Sequence, residues 1–120
     1  MGTLSHMTET SVTSEERKAH NEALFRQANE SVRRVQEELG MPEGLMPFIC
    51  ECEDEACRAV VRMTQAEYEA IRAHARRFLI VKGHAATGGH FVEKHAHYCV
   101  VEKDGVAGAI AEATNPRAEQ

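Results

Sequence analysis

Three of the chain's four cysteines lie within residues 50–57, at a spacing typical of metal ligands. Cys50 and Cys52 are two residues apart, so in an extended segment both sulfur atoms point to the same face. A four-residue loop separates Cys52 from Cys57 and can bring the third sulfur back toward the first two. A thiolate-rich set of four ligands suits Zn²⁺, whereas an iron–sulfur cluster usually takes four cysteines in family-specific spacings. The stretch therefore predicts most of a Zn²⁺ site.

The fourth ligand must come from another part of the chain. His84 follows Gly83 at the predicted end of a strand, a position from which an imidazole can reach a neighbouring loop. Cys99 lies in the middle of a predicted strand, where a lone cysteine usually acts as a small buried hydrophobic residue. The remaining candidates are His90, His95 and His97. We predict a metal site made of Cys50, Cys52, Cys57 and His84, and Cys99 stays open as the alternative fourth ligand.

His95, His97 and Cys99 also raise the question of a second site, because they alternate along the chain. In a strand they would share one face and could form a second metal site or a proton-sensitive site. The simpler interpretation, which we favour, places His97 and Cys99 in the core beside Val101 and leaves His95 at the frayed end of the strand.

A long helix is predicted over residues 13–39. Thr13 and Glu16 fit a capping box at its start, and Gly40 and Pro42 mark its end. Apolar residues recur along it at spacings of three and four and form one stripe: Leu24, Ala28, Val32, Val35 and Leu39, widened by Phe25. We expect this stripe to pack on the body of the domain, with a dimer seam as the alternative.

The rest of the chain alternates between short strands and helices. After a loop over residues 41–47, a short strand at residues 48–49 leads into the cysteine loop. The patterns then predict strands over residues 58–63, 78–82, 90–93 and 98–103, and helices over residues 64–77 and 106–113. The basic residues near residue 77 are interpreted as a solvated helix end that suits the helix dipole: Arg72, His74, Arg76 and Arg77. The predicted fold is α+β, with a long N-terminal helix, a small, mainly antiparallel sheet carrying the zinc loop, and one or two further helices.

A length of 120 residues suits one domain. Residues 1–7 read like a vector remnant, and the Ser/Thr-rich segment that follows them resembles a mobile terminus. We expect a vector remnant and disordered N-terminus over residues 1–12, a single zinc-binding α+β domain over residues 13–114, and a flexible tail over residues 115–120.

Composition narrows the class of protein further. The net charge is -5, and the cysteine loop contains four acidic residues that would repel phosphates: Glu51, Glu53, Asp54 and Glu55. Aromatic residues make up 5% of the chain, which leaves few platforms for stacking nucleic-acid bases. No apolar run approaches the ~18 residues of a membrane helix. We therefore expect a cytoplasmic protein, in a compartment where clustered cysteines bind metal more often than they form disulfides.

The segment Cys50-x-Cys52-x4-Cys57-Arg58 resembles the zinc loop that follows the SET domain in histone lysine methyltransferases. In that family, three cysteines of this spacing share one zinc ion with a fourth ligand from a distant segment. The resemblance covers nine residues, and the 49 residues before it are too few for a SET domain. It therefore implies zinc and does not imply methyl transfer.

Most of the chain is also similar to a group of small, uncharacterised bacterial proteins. The shared motifs are Asn-Glu-x-x-Phe at residues 21–25, Phe-x-Cys-x-Cys-x4-Cys at 48–57, Glu-Tyr-Glu at 67–69, Gly-His at 83–84 and Val-Val-Glu-Lys at 100–103. This resemblance implies no biochemical activity, but it singles out His84 as a motif position.

These patterns favour a non-catalytic structural-zinc domain that acts as a small protein-binding or regulatory module. Four protein ligands leave no open coordination position, and the sequence contains no phosphate-binding loop or dinucleotide fingerprint. The expected partner is another protein rather than a membrane, a nucleic acid or a small-molecule substrate, and the chain is expected to be a monomer or a homodimer through its N-terminal helix. One alternative is a redox-sensitive zinc–thiolate switch. Another is a metal-dependent hydrolase with Glu51 or Glu93 as base.

Overall fold

A computed structural model describes residues 13–40 and 44–118 of the chain. The elements in chain order are α1 (Ser14–Glu38), β1 (Leu45–Ile49), β2 (Val60–Thr64), α2 (Gln65–Arg72), β3 (Arg77–Val81), β4 (Gly89–Lys94), β5 (Tyr98–Lys103) and α3 (Gly105–Ala113). β1 pairs antiparallel with β2, and a separate antiparallel sheet has the strand order β3-β5-β4. The predicted α+β class with a long N-terminal helix is confirmed, although the strands form two small sheets.

Both predicted capping boxes are present. The hydroxyl of Thr13 accepts a hydrogen bond from the backbone N–H of Glu16 at 3.0 Å, and the backbone N–H of Thr13 donates to the Glu16 carboxylate at 3.1 Å. The same reciprocal pair joins Thr64 to Glu67 at 3.1 and 2.7 Å. Each box satisfies backbone donors that have no partner within the helix, so the starts of α1 and α2 follow from local sequence.

Two predicted boundaries are wrong. α2 ends at Arg72 instead of continuing to residue 77, because Arg77 opens β3 and pairs with Glu102 of β5. The loop predicted over residues 41–47 is partly strand: β1 begins at Leu45 and includes Pro47, while residues 41–43 lie outside the described part of the chain. Proline is tolerated here because a strand in a two-stranded sheet has an edge that needs no N–H donor.

The largest correction concerns α1, whose apolar stripe is mostly exposed instead of packing on the body of the domain. Leu24, Val35 and Leu39 are 68%, 51% and 71% exposed, whereas Val32 is partly buried and packs against the apolar core. The residues that α1 buries are instead mainly polar: Ala19, Glu22, Arg26, Asn29 and Gln36. The helix is therefore turned so that a polar stripe of the same helical spacing faces inward.

The inward-facing polar side chains are stabilised by specific partners. The guanidinium of Arg26 donates to the carbonyl of Ala75 at 2.6 Å and to that of Ala111 at 2.8 Å, and it lies 4.7 Å from the ring centroid of Phe78. The Glu22 carboxylate accepts a hydrogen bond from the Lys103 ammonium at 2.6 Å, and both side chains are 1% exposed. These contacts offset the cost of burying polar groups and hold α1 against α3 and β5.

Two apolar clusters complete the core. The first joins the β1–β2 pair to α2 and the larger sheet, and in it the rings of Phe48 and Tyr68 stack with centroids 4.3 Å apart. The second contains Phe78 and Ile80 of β3 and reaches Cys50 and Cys52. The cysteine loop is thus part of the core of the domain.

The predicted domain ends at residue 114, but contacts with the body continue beyond it. Arg117 contacts the carboxylates of Glu30 and Glu69 at 2.6 and 2.8 Å. Residues 1–12 and 119–120 lie outside the described residues, so the expected vector remnant and flexible ends stay predictions.

Candidate metal centre

Cys50, Cys52, Cys57 and His84 lie together in space, with one ligand atom of each within 4.8 Å of the others. Nδ1 of His84 is 3.5 Å from Sγ of Cys50 and 3.7 Å from Sγ of Cys57. The cysteines belong to the connection between β1 and β2, and His84 belongs to the turn that follows β3. Within residues 13–40 and 44–118, no other group of three or more Cys, His, Asp or Glu side chains is placed to hold a metal ion.

Local hydrogen bonds shape the loop that carries the three cysteines. The backbone N–H of Cys50 donates to the carbonyl of Ala59 at 3.0 Å and keeps the two ends of the loop together. Asp54 then folds the loop back, because its carboxylate accepts from the N–H of Ala56 at 2.9 Å and its carbonyl accepts from the N–H of Cys57 at 2.9 Å. This turn returns the third sulfur toward the first two.

The end of β3 supplies both a sulfur contact and the imidazole. The backbone N–H of Val81 donates to Sγ of Cys50 at 3.2 Å, a contact that would stabilise a thiolate ligand. Gly83 has a φ of 93°, which favours glycine, and the N–H of His84 donates to the carbonyl of Val81 at 3.0 Å. This tight turn directs the imidazole back toward the cysteine loop.

Burial controls the protonation of the sulfur atoms. Cys50 and Cys52 are each 1% exposed, whereas Cys57 and His84 are partly exposed. Desolvation raises the pKa of the Cys50 and Cys52 thiols above the ordinary value, and the neighbouring cysteines add to the shift at Cys50. Without a cation these thiols hold their protons, so they are poor nucleophiles, and a bound metal ion has to displace the protons.

Glu51, between the two paired cysteines, is fully buried and bonded through both carboxylate oxygens. Arg72 donates to Oε2 at 2.6 Å and to Oε1 at 3.0 Å. Oε2 also accepts from the side-chain amide of Asn29 at 2.7 Å, and Oε1 accepts from the backbone N–H of Leu79 at 3.0 Å. One carboxylate therefore joins the cysteine loop to α1, α2 and β3.

These contacts overturn one interpretation from the sequence, because Arg72 is 5% exposed rather than part of a solvated helix end. Glu51, one of the four acidic residues of the loop, is fully buried and paired with Arg72. The Cys-x-Cys spacing could have indicated a distinct environment for Glu51, because in an extended segment the middle residue lies on the face opposite the sulfur atoms. An acidic residue on the inward face needs a buried cation, and Arg72 supplies it.

Glu53 links the cysteine loop to the segment that carries His84. Its carboxylate accepts from the backbone N–H of Thr87 at 2.6 Å and contacts the Lys18 ammonium at 3.3 Å. The carbonyl of Glu53 accepts from the side-chain amide of Asn21 at 3.3 Å. The cysteine loop is thus held by α1, and the segment that carries His84 is held by the cysteine loop.

The other candidate ligands lie outside the cluster. Cys99 is buried in β5 opposite Ile80. His90 contacts the carboxylate of Asp104, and His95 contacts that of Glu93, each at 2.8 Å.

The alternative of a second site at His95, His97 and Cys99, which we did not favour, is not supported, because residues 95–97 connect β4 to β5 and are not strand. In the part of the chain that the structure describes, these three side chains are not placed to hold a metal ion together. The expectation that His97 faces the core is also wrong, since His97 is exposed.

The fold and this cluster define a small α+β domain with a candidate Cys₃His metal centre. Comparisons with protein-family models, with curated proteins and with solved structures found no match to the chain. The resemblances to the SET-associated zinc loop and to the bacterial group therefore stay predictions, as does the identity of the metal. None of the helices in the described ranges has the length and apolarity that crossing a bilayer requires.

Proposed function

We propose that the chain is a structural-zinc domain in which Cys50, Cys52, Cys57 and His84 bind one Zn²⁺. The observation that carries this proposal is the convergence of four ligand atoms, from two segments far apart in sequence, to within 4.8 Å of one another. Three sulfur atoms and one imidazole nitrogen suit Zn²⁺, whereas Mg²⁺ and Ca²⁺ prefer oxygen ligands. Zinc at this point would connect the loop between β1 and β2 to the turn after β3.

The arrangement supports a structural role better than a hydrolytic one. Four protein ligands complete a tetrahedral shell and leave no position for a reactive water molecule. The hydrolase alternative also lacks a base, because Glu51 is buried and both of its oxygens accept hydrogen bonds from other residues. Glu93 contacts His95 and lies outside the cluster.

We also propose that the chain acts in the cytoplasm as a small protein-binding or regulatory module, whose folded surface contacts another protein. A redox-sensitive zinc–thiolate switch is the second candidate. It is favoured by the partial exposure of Cys57 and by a shallow cavity beside the cluster that Cys52 and His84 line. The burial of Cys50 and Cys52 counts against it, because oxidants react with accessible thiolates.

Metal analysis of three proteins tests the ligand set. Elemental mass spectrometry should find one zinc ion per chain in the wild type and in Cys99→Ser, whereas His84→Ala should lose most of its zinc. The opposite pattern, with zinc lost from Cys99→Ser and kept by His84→Ala, would overturn the assignment. Co²⁺ substitution provides a second measurement, because a tetrahedral site with three thiolates gives strong visible absorption.

Two further measurements separate structural zinc from the switch. Chelation of the metal should unfold the domain, as followed by circular dichroism, since structural zinc contributes directly to folding. A fold that persists after chelation would contradict the structural role. Zinc release in sub-millimolar peroxide, measured with a chromophoric chelator, would support the switch, and its absence would exclude it.

A further inference from the structure

We propose that the outward side of α1 binds a second copy of this chain in an antiparallel arrangement. The outer face of α1 is defined by four exposed apolar residues that share one side of the helix: Leu24, Ala28, Val35 and Leu39. Toward the C-terminal end of the helix, Val32, Val35 and Leu39 also line a shallow apolar cavity. Contiguous exposed apolar surface of this kind marks interaction sites.

The order of residues along the outer face makes it complementary to itself. Leu24 and Leu39 lie at equal distances from the midpoint between Ser31 and Val32, and Ala28 and Val35 do the same at shorter range. A twofold axis at this midpoint places Leu24 against Leu39 of the partner subunit and Ala28 against Val35 of the partner subunit. An interface with this symmetry uses the same patch on both copies, which is what a C2 dimer requires.

Helix dipoles and side-chain size favour the antiparallel arrangement over a parallel one. Antiparallel copies bring Glu38 near Gln27 of the partner subunit and align the helix dipoles in opposite directions. They also set a small residue, Ala28, opposite a larger one, Val35, instead of opposite itself.

The rest of the domain leaves room for this partner. The residues that α1 turns toward the body, including Glu22, Arg26 and Asn29, lie on the side of the helix roughly opposite the outer face. The outer face extends for about 22 Å, the rise over the 15 residue steps from Leu24 to Leu39. A contact of this length buries less than the roughly 800 Å² per partner of a standard interface. The expected dimer is therefore weak and reversible.

A pair of complementary charge substitutions tests the arrangement. The two variants are Leu24→Lys and Leu39→Glu. In an antiparallel homodimer of either variant, each new charge faces a leucine of the partner subunit. In an antiparallel heterodimer of the two variants, the new lysine faces the new glutamate, and the two remaining leucines face each other. A parallel arrangement does not bring these two positions together.

Sedimentation equilibrium of the full, metal-loaded chain from about 1 μM to about 1 mM measures association over the range of a weak dimer. The wild type should show a reversible monomer–dimer equilibrium. Each variant alone should associate at least about tenfold more weakly, because every dimer loses two leucine contacts, and an equimolar mixture should recover association. Val106→Glu is the matched control, since it charges an exposed apolar residue of α3 and should leave association unchanged.

Three outcomes would overturn the proposal. The first is a wild type that stays monomeric at every concentration. That result would mean that the outer face does not bind a second copy and is left for residues 1–12 or for a different protein. The second is unchanged association of either charge variant, with folding verified by circular dichroism. The third is failure of the mixture to recover association, which would exclude the antiparallel contact. None of these outcomes depends on which residues bind the metal.

Discussion

The substitution Glu51→Gln tests whether the cysteine loop depends on its buried carboxylate. Glu51 accepts hydrogen bonds on both oxygens, and the two N–H groups of Arg72 occupy one position on each. Glutamine has a single acceptor oxygen. Whichever way its side chain is oriented, its NH₂ group therefore faces N–H donors that the Glu51 carboxylate accepts from. The substitution also removes the negative charge that neutralises Arg72.

The expected loss of stability is large because the side chain of Arg72 is 2% exposed. Removing one partner of a buried ion pair costs about 3–5 kcal/mol, since the remaining charge stays buried without compensation. A domain of this size is stable by about 5–15 kcal/mol, so the variant should lose a considerable fraction of its free energy of unfolding. Because the loop must fold to bind metal, the apparent affinity for zinc should also fall, by between about a hundredfold and about five thousandfold.

Urea unfolding of the zinc-loaded proteins, followed by circular dichroism, measures the effect. Glu102→Gln is the matched control: Glu102 forms a similar pair with Arg77 at 2.9 Å, but the two side chains are 32% and 25% exposed, so the loss should stay below about 1 kcal/mol. Adding Arg72→Met to Glu51→Gln should restore part of the stability, because no unpaired charge remains. A Glu51→Gln variant within about 1 kcal/mol of the wild type would refute the importance of the buried pair.

Two other predictions concern a buried carboxyl group and a helix cap. Burial raises the pKa of Glu22 from 4.5 to about 7, so the folded protein keeps a proton that the unfolded chain releases in this range. From pH 5 to 8 the wild type should therefore lose about 2.5 kcal/mol relative to Glu22→Gln, whose side chain does not titrate. Urea unfolding at matched free zinc measures this, and pH profiles of the two proteins that run parallel would contradict it. Thr64→Ala removes the cap of α2 and should cost about 1 kcal/mol in the same assay. Thr64→Ser keeps the hydroxyl and should cost less, so equal losses would argue against the cap.

The features that could be predicted from the sequence are those that depend on neighbouring residues. The capping boxes at Thr13 and Thr64 locate two helix starts because donor and acceptor are three residues apart. The cysteine spacing brings three sulfur atoms together for the same local reason. Placing His84 beside them required one further inference, that a glycine at the end of a strand reverses the chain.

The orientation of α1 could not be predicted, because the helix has two stripes with helical spacing. Hydrophobicity favours burying the apolar stripe, whereas the structure buries the polar one. The polar stripe is stabilised by backbone groups of other elements: Asn29 donates to the carbonyl of Ile49 and accepts from its N–H, each at 2.8 Å. Arg26 likewise reaches the carbonyls of Ala75 and Ala111. Which backbone groups lack partners depends on the tertiary structure.

The metal cluster and the outer face of α1 follow from the same inward network. The carboxylate of Glu51, between Cys50 and Cys52, accepts a hydrogen bond from the side-chain amide of Asn29 on the inner side of the helix. That contact sets the rotation of α1 about its own axis near its midpoint. Once Asn29 faces inward, Leu24 and Val35 must face outward, because residues separated by five or six positions lie on different sides of a helix. The exposed apolar face is therefore a consequence of how the helix supports the cysteine loop.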